Sequence, residues 1–200
     1  MPYVTVILVI STIVTSLAVN YCISGTLLGK IRVPELEPFG GFTYRHIVDL
    51  ELWRLLVAQL IHVKQVHMFY NVLSLLALGC IFERRIGSLR FLLIWLLAGA
   101  AGTFVSTLSG AAPWNLGTGG SQAILAVAGV GLVMTIRGGL NSQRVIAVLA
   151  LTILPAFILD LIFASNHLPK IGHLVSFSLG LVIAICLLAR AKIGDNSASI

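Results

Sequence analysis

The chain contains a serine in a glycine-rich turn, and the type and position of this residue could support chemistry. Ser121 follows Gly119 and Gly120 and precedes a long apolar run. A hydroxyl at a helix start lies beside free backbone N–H groups, and such groups can stabilise the oxyanion of acyl transfer. A serine N-cap is the simpler interpretation of this stretch alone. The other polar residues of the chain favour the catalytic interpretation.

His173 is the candidate base for that serine. A serine hydroxyl becomes a good nucleophile when a neutral imidazole takes its proton, and imidazole does so near neutral pH. No acid on the helices predicted to carry the other polar residues is placed to orient His173, so we predict a Ser–His dyad. Asp160 is the alternative third member of a triad, although gating or helix packing explains it as well.

His67 and Asn71 are candidate donors to the oxyanion. They stand four residues apart and therefore share one face of a helix. His62, five residues earlier, is expected to hydrogen-bond within the loop before that helix. A zinc site built from His62, His67 and His173 would lack a carboxylate or cysteine ligand, so no metal and no other cofactor is predicted.

The amino-acid composition indicates which class of protein must position these residues. The chain has 200 residues, of which 58% are hydrophobic and 10% are charged, whereas soluble domains carry about 25% charged residues. We therefore predict one polytopic all-α membrane domain over residues 1–200. The net charge is +6, but the basic residues flank apolar segments, which indicates membrane orientation and argues against nucleic-acid binding. Three cysteines within apolar segments argue against a disulfide framework.

Six transmembrane helices are predicted from the apolar segments. The uncharged run 91–136 is 46 residues long, whereas one crossing takes about 20 residues, so the run must fold back. The cluster of glycine, Pro113 and Asn115 places this break at 110–120. Pro155 predicts a kink in the fifth helix. The predicted helices span about 4–28, 66–82, 89–108, 121–136, 144–163 and 171–189.

A long polar connection joins the first two helices at about 29–66. It contains an amphipathic piece at 53–61, which is expected to lie at the membrane interface with Trp53 and Arg54 as anchors. This connection is the long outer first loop of the predicted bundle.

The distribution of charge predicts the orientation. Connections 83–90 and 137–144, together with the C-terminal tail, carry seven Lys/Arg against two acids, which predicts cytoplasmic termini. The second, fourth and sixth helices then begin at one depth near the outer surface. Because polar groups inside a membrane face cavities and each other, the four candidate residues should converge at that level. A bacterial inner membrane is favoured, with a eukaryotic secretory-pathway membrane as the alternative.

The sequence resembles the rhomboid family of intramembrane serine proteases. The resemblance covers about 53–180, within a rhomboid-like core of about 50–190, and rests on five motifs in family order. They are Trp53-Arg54, the HxxxN segment from His67 to Asn71, Glu83 to Ser88, Gly119-Gly120-Ser121-Gln122, and His173 to Gly180.

The resemblance implies a Ser121–His173 dyad, assisted by His67 and Asn71 at the oxyanion. It also implies hydrolysis of a peptide bond in or beside the transmembrane helix of membrane-protein substrates, within the lipid bilayer. Glu83 and Arg85 are expected to form a structural ion pair. The structural motif residues are Trp53, Arg54, Glu83, Arg85, Gly119, Gly129 and Gly180.

Three positions depart from the family pattern. Gln122 stands where the family usually has glycine, Leu125 where many members carry a tyrosine that packs on the catalytic histidine, and Ser176 replaces a glycine. None removes a reacting atom, so we interpret them as changes in rate or specificity. The alternatives are an inactive rhomboid-like protein that binds transmembrane helices and a small transporter, and the absence of an inverted repeat argues against the transporter.

Overall fold

The computed structural model describes residues 1–109, 115–140, 142–163 and 170–197, with side chains described to Ala189. The part of the chain that it describes is helical, apart from one antiparallel bridge between Phe42 and Gly117. The six long helices are α1 Tyr3–Ser24, α2 Gln65–Ile86, α3 Ser88–Ser109, α4 Ser121–Arg137, α5 Gln143–Phe163 and α6 Ile171–Ser197. Short helical segments within the first connection are Val33–Phe39, Arg45–Val48 and Arg54–Val57.

The predicted six-helix membrane architecture is confirmed. Five helices are long and apolar enough to cross a membrane, and α4, at 17 residues, is the shorter sixth. Most of α4 is buried, since α2, α3, α5 and α6 pack around it. A helix that is apolar on all sides belongs in such a position. α4 therefore forms the centre of the bundle and carries Ser121 at its first residue.

Small residues let α4 and α6 approach closely. A β-carbon on Gly129 would lie 2.5 Å from the Phe177 carbonyl oxygen, and one on Gly180 would lie 2.0 Å from that of Ala126. Backbone therefore packs against backbone here, as the small residues on both helices predict. The close contact fixes the position of Ser121 on α4 relative to His173 on α6.

Glu83 binds the start of α1 rather than Arg85. Its carboxylate accepts hydrogen bonds from the Val4 and Thr5 N–H groups, the Thr5 hydroxyl and the Ser88 hydroxyl. The Arg85 side chain is exposed. The expected Glu83–Arg85 ion pair is therefore wrong, because four donors from α1 and α3 already satisfy the buried carboxylate.

The first connection folds onto the bundle. Arg54 donates to the Glu51 carboxylate and to the Glu37 and Gly41 carbonyl oxygens, and its side chain is only 12% exposed. Its guanidinium also lies over the Trp53 ring. Arg54 thus holds the loop together, whereas Trp53, the other predicted anchor, is 49% exposed. Anchoring at the membrane interface stays a prediction.

The piece predicted to lie along the interface packs partly against the protein. Only Arg54–Val57 is helical, and Ala58, Gln59 and Ile61 are fully buried in the protein. The backbone of this piece contacts the turn before α4, where Gly119 N–H donates to the Ala58 oxygen at 2.8 Å. These contacts attach the end of the piece to the bundle, while Trp53 and Leu56 remain exposed.

The helix bounds agree with the predicted ones except at three ends. α1 ends at Ser24, four residues before the predicted end. α2 continues four residues beyond 82, since the Glu83 carboxylate is satisfied internally, and α6 continues to Ser197. α5 remains one helix through Pro155. Part of the predicted break, 110–114, and the connection 164–169 between α5 and α6 lie outside the described residues.

Candidate active site

Ser121 and His173 meet in the interior of the bundle. Ser121 Oγ lies 2.8 Å from His173 Nε2, and both residues are at least nine-tenths buried. Ser121 is the first residue of α4, and His173 lies in the first turn of α6. Gly119, with a φ of 93°, turns the chain into α4 through a conformation that favours glycine. The predicted convergence of these two residues is therefore seen in the structure.

Asp160 contacts the other side of the imidazole. Its Oδ2 lies 2.6 Å from His173 Nδ1 and accepts the Lys170 N–H at 3.0 Å. Lys170 Nζ lies 3.7 Å from Oδ1. A carboxylate accepts from Nδ1–H, so the lone pair of Nε2 faces the serine hydroxyl.

The structure thus shows the contact that the alternative triad requires, in which Asp160 is the third member. The dyad was predicted because none of the helices that carry the other polar residues has such an acid, whereas this acid comes from the end of α5. The last turn of α5 lies beside the first turn of α6, so two residues 13 positions apart meet. The sequence signal was an acid near the outer end of an apolar helix, shortly before the helix that carries the candidate base.

His62 links α1, α2 and the turn before the nucleophile. Its Nδ1 lies 3.1 Å from Ser16 Oγ, and its Nε2 lies 2.9 Å from Asn71 Nδ2 and 3.3 Å from the Gly120 nitrogen. Ser16 donates its own proton to the Leu60 oxygen, so it accepts from Nδ1–H. Nε2 then accepts from both Asn71 and Gly120.

The role of His62 is thus wider than a hydrogen bond within its loop. Burial lowers the pKa of His62 to about 3, and the nearby His67 ring adds to the shift. The ring is neutral at ordinary pH and keeps one tautomer. It therefore holds Asn71 and Gly120 in place beside Ser121.

Asn71 and His67 both contact the His62 ring. Asn71 is buried and uses one amide hydrogen on His62, which leaves a second amide hydrogen for another acceptor. His67 packs edge-on against His62, with ring centroids 5.6 Å apart. Both side chains thus lie near the turn before Ser121, and their role as oxyanion donors stays a prediction.

The three departures from the family pattern occupy defined places. Gln122 Oε1 lies 3.2 Å from Ser121 Oγ, so the glutamine contacts the nucleophile directly. The Ser176 hydroxyl donates to the Ala98 oxygen at 2.9 Å and is satisfied within the helix packing. Leu125 is fully buried in α4. Of the three, Gln122 is the one with a hydrogen bond to Ser121 among the described contacts.

The arrangement as a whole can activate a hydroxyl for attack on a carbonyl. It provides a serine, an imidazole whose tautomer is set by a carboxylate, and the Asn71 amide on the histidine that binds the turn before the serine. The first-turn N–H groups of α4 have no partners within the helix and add further donors. This is the set of groups that covalent acyl transfer requires.

Several known proteins are similar to this chain in sequence. It is 30% identical to RHOMBOID-like protein 4 of Arabidopsis thaliana over 84% of its own length and 42% of the relative. It is 30% identical to rhomboid protease GluP of Bacillus subtilis (strain 168) over 73% of its length and 28% of the relative. It is also 32% identical to inactive RHOMBOID-like protein 8 of Arabidopsis thaliana, over 36% of its length and 21% of the relative.

The chain thus spans less than half the length of each of these relatives. The family model described as the rhomboid domain matches residues 49–190, which contain all the candidate site residues. This match covers most of the chain, from the first connection into α6, and includes five of the six long helices. The protein is an integral, multi-pass membrane protein that belongs to the rhomboid family.

Proposed function

We propose that this protein is an intramembrane serine endopeptidase that cleaves a peptide bond in or beside the transmembrane helix of membrane-protein substrates. The observation that carries the proposal is the hydrogen bond of 2.8 Å between Ser121 Oγ and His173 Nε2. The Asp160 contact with His173 Nδ1 supports it, because it leaves the Nε2 lone pair free to act as a base.

The first half-reaction forms an acyl-enzyme. Ser121 Oγ attacks the scissile carbonyl carbon while its proton passes to His173 Nε2. Asp160 stabilises the resulting imidazolium, and the Ser121 N–H with the His67 and Asn71 side chains stabilises the oxyanion. The C–N bond then breaks as His173 gives its proton to the leaving amine, which departs as the new N-terminus.

The second half-reaction restores the serine. His173 takes a proton from water, and the oxygen of that water attacks the ester carbonyl. The ester bond breaks, the proton on His173 returns to Ser121 Oγ, and the new carboxylate leaves. Water must reach the outer ends of α2, α4 and α6 for this step.

The substrate must unwind locally, because a helix hides its peptide bonds. We propose that it approaches from the lipid past α5 and that residues 116–119 cover the site. We further propose one domain over residues 1–200, cytoplasmic termini and a bacterial inner membrane.

An inactive protein that binds transmembrane helices is the second candidate. Two observations favour it: one relative is named inactive, and the Gln122 side chain contacts the nucleophile. The presence of both Ser121 and His173 argues for the enzyme.

Fluorophosphonate labelling of the purified protein in detergent tests the proposal. We expect covalent labelling of the wild type and none of Ser121→Ala or His173→Ala, since the reagent requires an activated serine. Ser178→Ala, on the exposed face of α6, is the matched control and should label normally. A folded wild type that does not label would favour the inactive helix-binding protein.

A further inference from the structure

Gln122 contacts the nucleophile but takes no part in the proposed reaction. Its Oε1 lies 3.2 Å from Ser121 Oγ, while His173 Nε2 lies 2.8 Å from the same atom. A serine hydroxyl carries one proton and donates one hydrogen bond. Two acceptors therefore compete for the proton that must reach His173 in the first step of catalysis.

The two acceptors have different chemical consequences. Imidazole is a base near neutral pH and can remove the proton as Ser121 attacks. An amide oxygen accepts a hydrogen bond but is too weak a base to take the proton. A molecule in which Ser121 donates to Gln122 is therefore unreactive until the hydroxyl turns towards His173.

The surrounding packing keeps Gln122 in this position. The residue is only 6% exposed, and its β-carbon lies 3.2 Å from where a β-carbon on Gly102 would stand. α3 and α6 meet there at backbone distance, since a β-carbon on Gly172 would lie 2.5 Å from the Gly102 oxygen. A crowded corner of the bundle thus holds the side chain beside Ser121.

We propose that Gln122 is a positioning residue that lowers the reactivity of Ser121 by competing with His173 for its hydroxyl proton. The inference rests on the proposed protease activity and concerns the resting state of the same site. It adds no covalent step, because Gln122 only accepts a hydrogen bond. A neutral hydrogen bond of ordinary net strength corresponds to an effect of about 2- to 10-fold on the labelling rate.

The experiment measures fluorophosphonate labelling rates of the full chain in detergent at several probe concentrations. Gln122→Met keeps the length of the side chain and removes the amide. We expect the limiting rate to rise about 2- to 10-fold, with the half-saturating concentration unchanged. Gln122→Glu presents a charged and stronger acceptor, so it should label more slowly than the wild type. A residue that only fills space would not give opposite effects with two side chains of similar size.

Gln143→Met is the matched control, since Gln143 is exposed at the start of α5, and it should label at the wild-type rate. Thermal unfolding in detergent verifies that each variant is folded, and Gln122→Leu replaces Gln122→Met if the latter is not. If the wild type labels and a folded Gln122→Met labels at no higher rate, this inference is overturned and the protease proposal remains intact. Labelling of neither protein would overturn both, whereas labelling of Gln122→Met alone would support this inference and count against protease activity of the wild type.

Discussion

At the residue scale, Asp160 determines which nitrogen of His173 faces the serine. With the carboxylate 2.6 Å from Nδ1, the proton of the neutral ring stays on Nδ1 and Nε2 can accept from Ser121. Lys170 adds a backbone hydrogen bond to the same carboxylate and an ammonium group 3.7 Å away. The carboxylate is thus held in place by partners outside the Ser–His pair.

Replacing this carboxylate should impair labelling while the fold remains. In Asp160→Asn, the amide can donate to Nδ1, which moves the ring proton to Nε2 and prevents it from accepting the serine proton. We expect the fluorophosphonate labelling rate to fall on the order of 100-fold or more. Asp49→Asn, in the exposed part of the first connection, is the control. Wild-type rates for a folded Asp160→Asn would support the dyad that the sequence predicts.

The buried His62 makes stability depend on pH. Burial lowers the pKa of His62 to about 3 in the folded protein, while an unfolded histidine titrates near 6.5. Between these values the unfolded state binds more protons. The contribution of His62 to stability is therefore complete above pH 6.5 and is lost as the pH falls towards 3.

We expect this group to lower the free energy of unfolding by up to about 1.4 kcal/mol for each pH unit below 6.5. Denaturant unfolding in detergent across this range, for the wild type and for His62→Asn, measures the effect. The variant should be less stable at neutral pH because Ser16 and Gly120 lose a partner, but its stability should change less with pH. Equal slopes for the two proteins would contradict the assignment.

At the scale of elements, the contact between α4 and α6 positions the nucleophile relative to the base. α4 carries Ser121 and α6 carries His173. The two helices touch at Gly129 and Gly180, about two turns further along each helix. The backbones are so close that neither position has room for a β-carbon. A small displacement of α6 would therefore lengthen the Ser121–His173 hydrogen bond even if no residue of the site is substituted.

Gly180→Val should therefore reduce both stability and labelling. A β-carbon at this position would lie 2.0 Å from the Ala126 oxygen, and overpacking of this kind costs about 1–3 kcal/mol. Thermal unfolding and labelling rate in detergent are the two measurements. Ser178→Val, two residues earlier on the exposed face of α6, should leave both near wild-type values. An unaffected Gly180→Val would show that α4 and α6 are less tightly coupled than their contact indicates.

At the scale of the whole molecule, six helices place the site at one end of the bundle. The first connection closes over that end through the Phe42–Gly117 bridge and the hydrogen bond from Gly119 to Ala58. Glu83 closes the other end by holding the start of α1. The excess of Lys and Arg at the Glu83 end is the basis for proposing that this end faces the cytoplasm.

Cysteine accessibility tests this orientation. In a chain whose three native cysteines are replaced by alanine, Val48→Cys lies in the first connection and Ser142→Cys lies between α4 and α5. A membrane-impermeant maleimide added to intact bacterial spheroplasts should modify Val48→Cys and spare Ser142→Cys. Both should react after the membrane is permeabilised, which controls for burial of the thiol. The reverse pattern would contradict cytoplasmic termini.

The sequence by itself determined the class of protein and most of its framework. Length, apolar composition and the glycine break gave the helices within a few residues, because a bilayer sets the length of an apolar helix. Small residues repeated along α4 and α6 predicted their close contact. These helices also begin with the candidate site residues. Because the helices run in the same direction, the sequence predicted that Ser121, His67, Asn71 and His173 lie at one depth.

Only the tertiary structure decided which polar groups pair. Asp160 binds His173, Glu83 binds α1 instead of Arg85, and Arg54 binds loop carbonyls. Each of these partners comes from an element whose position the local pattern does not specify. The physical reason is that periodicity fixes the face and depth of a side chain, whereas a hydrogen bond requires two groups within about 3 Å. That distance depends on how neighbouring helices and loops pack together.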